Sequence, residues 1–390
     1  MAHRESDWRG ILGGTDRSLR ARLLRGLLTP VSWGYGGVMR LRNWKYGRGT
    51  GVRRLPRPVI SVGNLTTGGT GKTPVVHWLC DRLRAAGERP AVLMRGYKAK
   101  PGEKGDEQEM LEALLNRDGA PPVPVLANPR RYEEAMAHLE GSPETSVFVL
   151  DDGFQHRRIG RDFDLVLIDA TNPFGFGRVL PRGLLREPAA GVGRADAILI
   201  TRADQVDERA LGEVLDRLRG ADVPKFRAAH GWAGVRTEGG ESLPVADLAG
   251  RRVFALAGIG NPEGFAAQLA GAADVVGLRF FPDHHAYTRA DVEGVMSDAG
   301  AAGAEAVVTT DKDWVKLCRV IDGVGPGGGG SVRANSNGSD GASPSQSRGI
   351  ADRLPVWRVE LAVRFMDDGA DEMLLARIRD AIRAGLQSLR

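Results

Sequence analysis

Cysteine is nearly absent: the 390 residues contain only Cys80 and Cys318, far apart in the chain. His77 lies three residues before Cys80, but no second Cys/His pair completes a zinc site. A disulfide framework and a structural zinc centre are therefore not expected, and a reducing cytoplasm suits the chain. Long hydrophobic runs are missing too. No stretch of ~20 uncharged apolar residues exists, so no transmembrane helix is expected. Arg22 and Arg25 break the leucine-rich N-terminal stretch, which argues against a signal peptide. Aromatic residues make up 6% of the chain, few for the stacking platforms of a nucleic-acid binder. Internal repeats are absent.

What is present is an ordinary globular composition, 42% apolar, in a length that suits two or three domains. Charge is distributed unevenly. Residues 1–50 carry ten Arg/Lys against three acids, net +7, while the whole chain is +5, leaving the body at about −2. A basic end on a near-neutral body suits an anionic partner, membrane or nucleic acid. Leu19, Leu23, Leu24, Leu27 and Leu28 recur near helical spacing, interleaved with Arg17, Arg20, Arg22 and Arg25, and Trp33 and Tyr35 follow Pro30. That pattern fits a helix lying in a membrane interface, the alternative being a helix packed on the core with a solvated basic face.

The strongest chemical signal is Val59-Ile-Ser-Val-Gly-Asn-Leu-Thr-Thr-Gly-Gly-Thr-Gly-Lys-Thr-Pro74. An apolar strand (Pro58–Val62) enters the glycine-rich turn Gly68-Gly69-Thr70-Gly71, and an apolar helix start follows Lys72-Thr73. Successive backbone N–H groups in such a turn face one concavity, where phosphate is favoured. Lys72 adds a point charge at the β/γ-phosphates, and the Thr73 hydroxyl suits Mg²⁺. Thr66 stands where the strict P-loop pattern has glycine.

Strand-like runs at Pro58–Val62, Pro90–Met94, Val147–Leu150, Leu165–Asp169 and Ala197–Thr201 alternate with helical patterns. They predict a P-loop NTPase-type α/β fold: a parallel sheet flanked by helices, with its site at the strand carboxyl ends. The expected organisation is a basic segment over 1–50, a P-loop domain over 51–245 and a smaller α/β domain over 246–390. The last contains strands at Val253–Leu256, Asp274–Phe281, Ala306–Thr310 and Val356–Val363 and a closing helix over Glu372–Leu389. Gly258-Ile-Gly260 at a strand–helix turn reads as a tight turn before it reads as a second nucleotide site. Asp322–Arg348, rich in Gly, Ser, Asn and Pro, cannot bury a core and is expected to be a disordered insertion.

Several clusters suit phosphoryl transfer. Val147-Phe-Val-Leu-Asp-Asp152 ends an apolar strand in two carboxylates, placed to hold Mg²⁺ opposite Thr73, or else a solvated turn. Which of Asp151 and Asp152 touches the metal is open at this level. Arg186 and Glu187 lie between prolines; arginine spreads charge on a moving phosphoryl group and glutamate suits a second Mg²⁺ contact, although this segment taken alone reads first as a surface ion pair. Phe280-Phe-Pro-Asp-His-His-Ala-Tyr287 offers a histidine for a general-base pair, a metal contact or a helix cap. Ile198-Leu-Ile-Thr-Arg-Ala-Asp204 is a poor match to a guanine-reading loop, with Thr201 and Arg202 in place of Asn and Lys.

Together these segments resemble the tetraacyldisaccharide 4′-kinases of lipid A synthesis. The matching pieces are Ser61–Pro74, Arg95-Gly-Tyr97, Gly105-Asp-Glu107, Asp151-Asp-Gly-Phe-Gln-His156, Leu184-Leu-Arg-Glu-Pro188, Gly258-Ile-Gly-Asn-Pro262, Phe281-Pro-Asp-His284 and Val308-Thr-Thr-Asp-Lys-Asp313, in the family's order. The resemblance implies transfer of the ATP γ-phosphate to the 4′-hydroxyl of a tetraacylated glucosamine disaccharide 1-phosphate at the cytoplasmic face of the inner membrane. It implies ATP and Mg²⁺ as cofactors, a lipid and an anionic membrane surface as partners, and neither nucleic acid nor an obligate protein. It carries over Asp106 as base and His284 as its dyad partner, acting across two domains. Thr67, Gly68, Gly69, Thr70, Gly71, Lys72, Thr73 and Gln155 fall at the nucleotide. Thr73, Asp151, Asp152 and Glu187 form the acidic and metal shell. Arg186 contacts phosphate, as does a second arginine for which Arg131 fits best by spacing, with Arg130 as the alternative. Departures include Lys98 after Arg95-Gly-Tyr97, Gln108 after Gly105-Asp-Glu107, and Arg182-Gly-Leu-Leu185 before Arg186. The rival reading is a GTPase or metal-delivery ATPase, which would hydrolyse nucleotide without lipid.

Deleting 322–348 is expected to leave folding and turnover nearly intact, because a flexible loop contributes little beyond a closure entropy that grows slowly with length. Melting temperature and lipid phosphorylation check this; a midpoint lowered by more than about 2–4 °C, the shift that roughly 1 kcal/mol produces in a domain of 150–250 residues, shows that the segment is packed.

Overall fold

The computed structural model describes residues 2–96, 104–116, 120–260, 262–283, 285–321 and 353–388, with side chains from Trp8 onward. Two compact units emerge, one formed by residues 1–100, 107–231 and 362–390 and the other by 101–106 and 232–361. The expected insertion and His284 lie outside the described residues.

In chain order the first unit begins with helix α1 (Ala2–Gly13) and helix α2 (Leu19–Gly47), the latter capped by Ser18, whose hydroxyl accepts from the Ala21 N–H at 3.2 Å. Helix α2 continues through Pro30, well beyond the leucine-rich stretch that marked it. The cause is tertiary: Ser32 donates to the Val179 carbonyl (2.7 Å) and Tyr35 to that of Arg186 (2.7 Å), so its second half is tied to the body. Strand β1 (Val59–Asn64), α3 (Lys72–Ala85), β2 (Pro90–Met94), α4 (Asp106–Leu115), β3 (Val125–Ala127) and α5 (Arg131–Gly141) follow. Next come β4 (Val147–Asp151), β5 (Phe163–Asp169), β6 (Ala197–Thr201), α6 (Glu208–Arg217) and β7 (Lys225–Arg236). The strands of this unit lie in the order β7-β6-β5-β1-β4-β2-β3 and pair in parallel. Strand β1 is central and buried along its length, as continuous apolar runs predict for a parallel sheet covered on both faces. Its carboxyl end delivers the chain into the glycine-rich turn. The short β3 and the long β7 were not anticipated from sequence.

The second unit contains the end of β7 with its antiparallel partner β8 (Ser242–Leu243), then β9 (Arg252–Ala257), α7 (Pro262–Ala270), β10 (Asp274–Phe280), α8 (Arg289–Ala301), β11 (Ala306–Thr310) and α9 (Asp311–Ile321). Strand β12 (Val356–Phe365) completes the order β10-β9-β11-β12. The closing helix α10 (Ala370–Ser388) was expected in the second domain. Its apolar face instead joins the first unit's core, where Leu374, Ile378 and Ile382 pack with Val76, Leu79 and Leu83. The chain thus re-enters the first unit within β12, because that core has an apolar face for an amphipathic helix to cover.

Gly63 fixes the distance between β1 and the turn after β4. A Cβ there would stand 2.6 Å from the Phe154 backbone nitrogen and 2.6 Å from its Cβ. Since Phe154 is fully buried, Gly63→Ala is expected to destabilise by about 1–3 kcal/mol through overpacking, read as a lower melting temperature.

Candidate active site

Gly71 takes a left-handed conformation (φ 78°) as the N-cap of α3, a geometry that glycine adopts without steric cost. It places Lys72 and Thr73 in the first turn of that helix, where backbone N–H groups lack intrahelical partners and the helix dipole favours an anion. A short bridge ties the incoming chain to a distant segment. Thr66 pairs with Leu185, the Thr67 N–H donates to the Leu184 carbonyl (2.8 Å), and the Arg186 N–H donates to the Leu65 carbonyl (2.8 Å). Arg186 is thereby brought beside the turn.

The two carboxylates that end β4 behave differently. Asp152, in a left-handed backbone conformation (φ 50°), receives Arg186 Nη1 on Oδ2 (2.6 Å) and faces Lys72 Nζ from Oδ1 (3.4 Å). Burial alone would raise its pKa, but Lys72 and Arg186 outweigh it and hold the carboxyl below the usual range. At Asp151 the balance tips the other way. Burial pushes its pKa up to about 6, Asp152 adds to the rise, and Lys72 and Arg131 oppose it; its Oδ1 is shielded from solvent without a hydrogen-bond partner. Arg131 is 3% exposed, and its Nε and Nη1 also lack partners, whereas Arg130 is exposed. Burial pulls the Arg131 pKa down against the opposing pull of Asp151 and Asp152, which places its guanidinium near both acids.

Glu187 is fully buried, and both its oxygens are engaged. Asn43 of α2 donates to Oε2 (2.7 Å), Gln155 to Oε1 (2.9 Å), and Arg194 approaches both oxygens at 3.0 Å. Gln155 also donates to the Asn64 carbonyl (2.9 Å), joining the end of β1 to this cluster. Asn43, Arg194 and Asn64 were missed from sequence. No motif flags Asn43 or Arg194, since their roles arise only where α2 meets the 185–187 segment, and Asn64 lies inside the glycine-rich motif without a role of its own. Glu107 was quoted in a motif without a role; its charge contributes to the raised pKa of Asp151.

Among the described residues, no group of three or more His, Cys, Asp or Glu is arranged to hold a metal. The donor chemistry fits Mg²⁺ nonetheless, because that ion is bound through one or two carboxylates with water and substrate phosphates completing its shell. Asp151 Oδ1, buried without a hydrogen-bond partner, is an oxygen of that kind.

In the second unit, Asp106 opens α4 as an exposed residue and pairs with Lys316 (2.9 Å), whose ammonium also donates to the His285 carbonyl (3.3 Å). His285, adjacent to the expected His284, contacts Asp291 (3.1 Å) and stacks on Phe281. Buried Asp313 accepts from Tyr287 Oη (2.9 Å) and the Gly258 N–H (3.0 Å), which makes the Gly258 turn a structural feature of the unit. The Thr201–Asp204 loop is also committed: the fully buried Thr201 hydroxyl and the Arg202 guanidinium bond to carbonyls of the glycine-rich turn.

The family model described as tetraacyldisaccharide-1-P 4′-kinase matches residues 24–323. The chain is 40% identical to the tetraacyldisaccharide 4′-kinase of Geobacter sulfurreducens over 330 residues, covering 80% of this chain and 89% of the relative. It is 41% identical to that of an Anaeromyxobacter species over 305 residues, covering 71% and 77%. A crystal structure of LpxK from Aquifex aeolicus in complex with ATP superposes with a TM-score of 0.66 at 29% identity, covering 92% of this chain and 99% of that one.

His156, next to this cluster, has its pKa pushed down to about 4, chiefly by burial and further by Arg131 and Arg161. An unfolded histidine titrates near ~6.5, so the unfolded state takes up a proton first as pH falls. The stability held by the neutral imidazole is complete above that value and is lost as pH drops toward 4. Asp151, raised to about 6, acts in the opposite sense in the same window, so the two must be separated by substitution. His156→Asn is expected to lose less melting temperature than the parent between pH 7 and 5. Parallel curves for the two proteins contradict the assignment.

Proposed function

The chain belongs to the tetraacyldisaccharide-1-P 4′-kinase family, and on that premise we propose how its residues divide the work. The protein is an ATP-dependent kinase that phosphorylates the 4′-hydroxyl of a tetraacylated disaccharide 1-phosphate, with ATP and Mg²⁺ as cofactors. Phosphoryl transfer demands positioning and charge neutralisation more than covalent help. The amides of the turn from Thr67 to Gly71 cradle the phosphates, Lys72 meets the γ-phosphate, and Gln155 contacts the nucleotide. Thr73 and Asp151 hold Mg²⁺, which when bound neutralises charge on the phosphate oxygens. Asp152 and Glu187 complete the acidic surround, Asp152 keeping Lys72 and Arg186 in register and Glu187 anchoring Gln155. Arg186 and Arg131 stabilise the phosphoryl group in flight. Asp106 takes the proton of the sugar hydroxyl, with His284 orienting it. The observation that supports this division is the commitment of Asp152 to both Lys72 and Arg186 while the Asp151 oxygen beside it makes no hydrogen bond.

The lipid acceptor is reached from the membrane surface. Helix α2 keeps Leu19, Leu23, Leu27, Val31, Trp33, Val38, Leu41 and Trp44 exposed, with Arg20, Arg22, Arg40 and Lys45 also at the surface. No described helix is long and apolar enough to cross a membrane. An apolar stripe flanked by basic residues suits insertion into an anionic interface. We place the protein peripherally at the cytoplasmic face of the bacterial inner membrane.

The test follows γ-labelled ATP with the lipid acceptor, with nucleic acid and with neither. Label is expected on the lipid alone, and Lys72→Ala should lower turnover by ~10²-fold or more, as loss of one charge-stabilising group does. Asp106→Ala and His284→Ala should each lower kcat strongly, and the double variant should be little worse than the worse single one, because groups that act as one unit are not additive. Label released as phosphate at equal rates with and without lipid favours the switch-type ATPase. Additive losses in well-folded variants remove the Asp106–His284 pair.

A further inference from the structure

The carbonyl oxygens of the phosphate loop have partners of their own. Arg202, left-handed at φ 53° just past β6, donates through Nη2 to the Gly69 carbonyl at 2.8 Å. Its Nη1 is paired with Asp169 Oδ2 at the end of β5. Asp169 is 8% exposed, and its other oxygen accepts from the Thr171 N–H (3.0 Å) and hydroxyl (2.7 Å), which leaves it one orientation. Thr201, with no exposed surface, donates to the Thr70 carbonyl at 3.0 Å. The His230 ring lies against Gly71, where a Cβ would stand 2.0 Å from Cε1, so the third residue of the turn is backed as well.

Peptide geometry turns these bonds into a consequence for the ligand. In a planar trans peptide, a carbonyl and the following N–H point in opposite directions. Holding the Gly69 and Thr70 carbonyls against Arg202 and Thr201 therefore directs the Thr70 and Gly71 N–H groups the other way. Without those anchors a glycine-rich turn is free to rotate its peptides, which removes a donor from the concavity and brings a carbonyl dipole toward the phosphates.

We propose that Arg202, oriented by Asp169, and Thr201 are positioning residues for the triphosphate, latching the carbonyls of Gly69 and Thr70 so that the loop presents its amides to ATP. The proposal rests on the nucleotide-site assignment and extends it to residues behind the loop that touch no ligand. The latch acts on phosphates and not on the nucleoside.

Titration calorimetry of the full-length protein with ATP, ADP and adenosine tests it, together with KM and kcat for lipid phosphorylation. Arg202→Ala and Thr201→Val are each expected to weaken ATP and ADP by ~10-fold or more, the range for losing a hydrogen bond that supports a charged group, with adenosine unchanged. KM for ATP should rise by the same factor and kcat change much less. Arg202→Lys should recover part of the loss, since an ammonium lacks the fork that spans two acceptors. Thr201→Ser, which keeps the hydroxyl, should bind ATP as the parent does and serves if Arg202→Ala does not fold. Equal weakening of ATP and adenosine, or unchanged ATP affinity in folded Thr201→Val, overturns the latch. Failure of the parent to bind ATP defeats the nucleotide-site assignment instead.

Discussion

The site is organised around one carboxylate that two cations share. Asp152 stands at the end of β4, Lys72 opens α3 and Arg186 belongs to an irregular segment more than thirty residues further on, yet all three meet at 2.6–3.4 Å. Coulomb attraction between partly buried groups exceeds that at a surface, and removing one partner would leave an uncompensated charge. The arrangement thus constrains the strand order: β1 and β4 must be neighbours for the phosphate turn and the acid to face each other. Gly63 allows that approach, since any side chain there would strike Phe154.

A second constraint runs from the exposed helix to the same place. Glu187 is buried, and an ionised carboxylate survives burial only when its oxygens are satisfied. Arg194, Gln155 and Asn43 satisfy them, and Asn43 lies on α2. Tyr35 of the same helix donates to the Arg186 carbonyl, and Arg42 to that of Gln155. One face of α2 thus carries the exposed apolar stripe while the other bonds to the two segments that hold Gln155, Arg186 and Glu187. Hydrogen bonds thus join α2 directly to the candidate catalytic segment, without any intervening loop.

The asymmetry between the adjacent acids comes from what surrounds them. Asp152 has two cations within reach and stays ionised; Asp151 is buried with its Oδ1 unpaired, and its pKa climbs to about 6. The adjacent carboxylates receive different environments because Asp151 ends β4 while Asp152, just past it, turns into a left-handed conformation that meets Arg186. The pair then separates into a carboxylate ion-paired with two cations and a buried one whose pKa is raised.

Most of the scaffold was legible in the sequence. Continuous apolar runs marked β1, β2, β4, β5, β6, β9, β10, β11 and β12 to within about two residues, since a strand buried on both faces has little freedom of composition. Gly71-Lys72-Thr73 announced a phosphate turn, because only glycine takes that left-handed position cheaply. The helical spacing of the leucines announced α2, and the order of short motifs announced the family. The remainder required three dimensions. The final helix packs in the first unit because complementary apolar faces meet there, which its own periodicity does not specify. That Arg131 is buried and Arg130 exposed is likewise visible only in the fold. Asn43 and Arg194 carry no pattern, and Thr201 and Arg202 stood out only as a poor match to a guanine-reading loop: each matters through a partner 7 to 144 residues away in the chain. Sequence alone determined which chemical groups the site has available, because residue type and local spacing decide strands, turns and charges. Tertiary structure decided which of those groups are committed to one another, because pairing depends on distance and burial between segments that the chain keeps far apart.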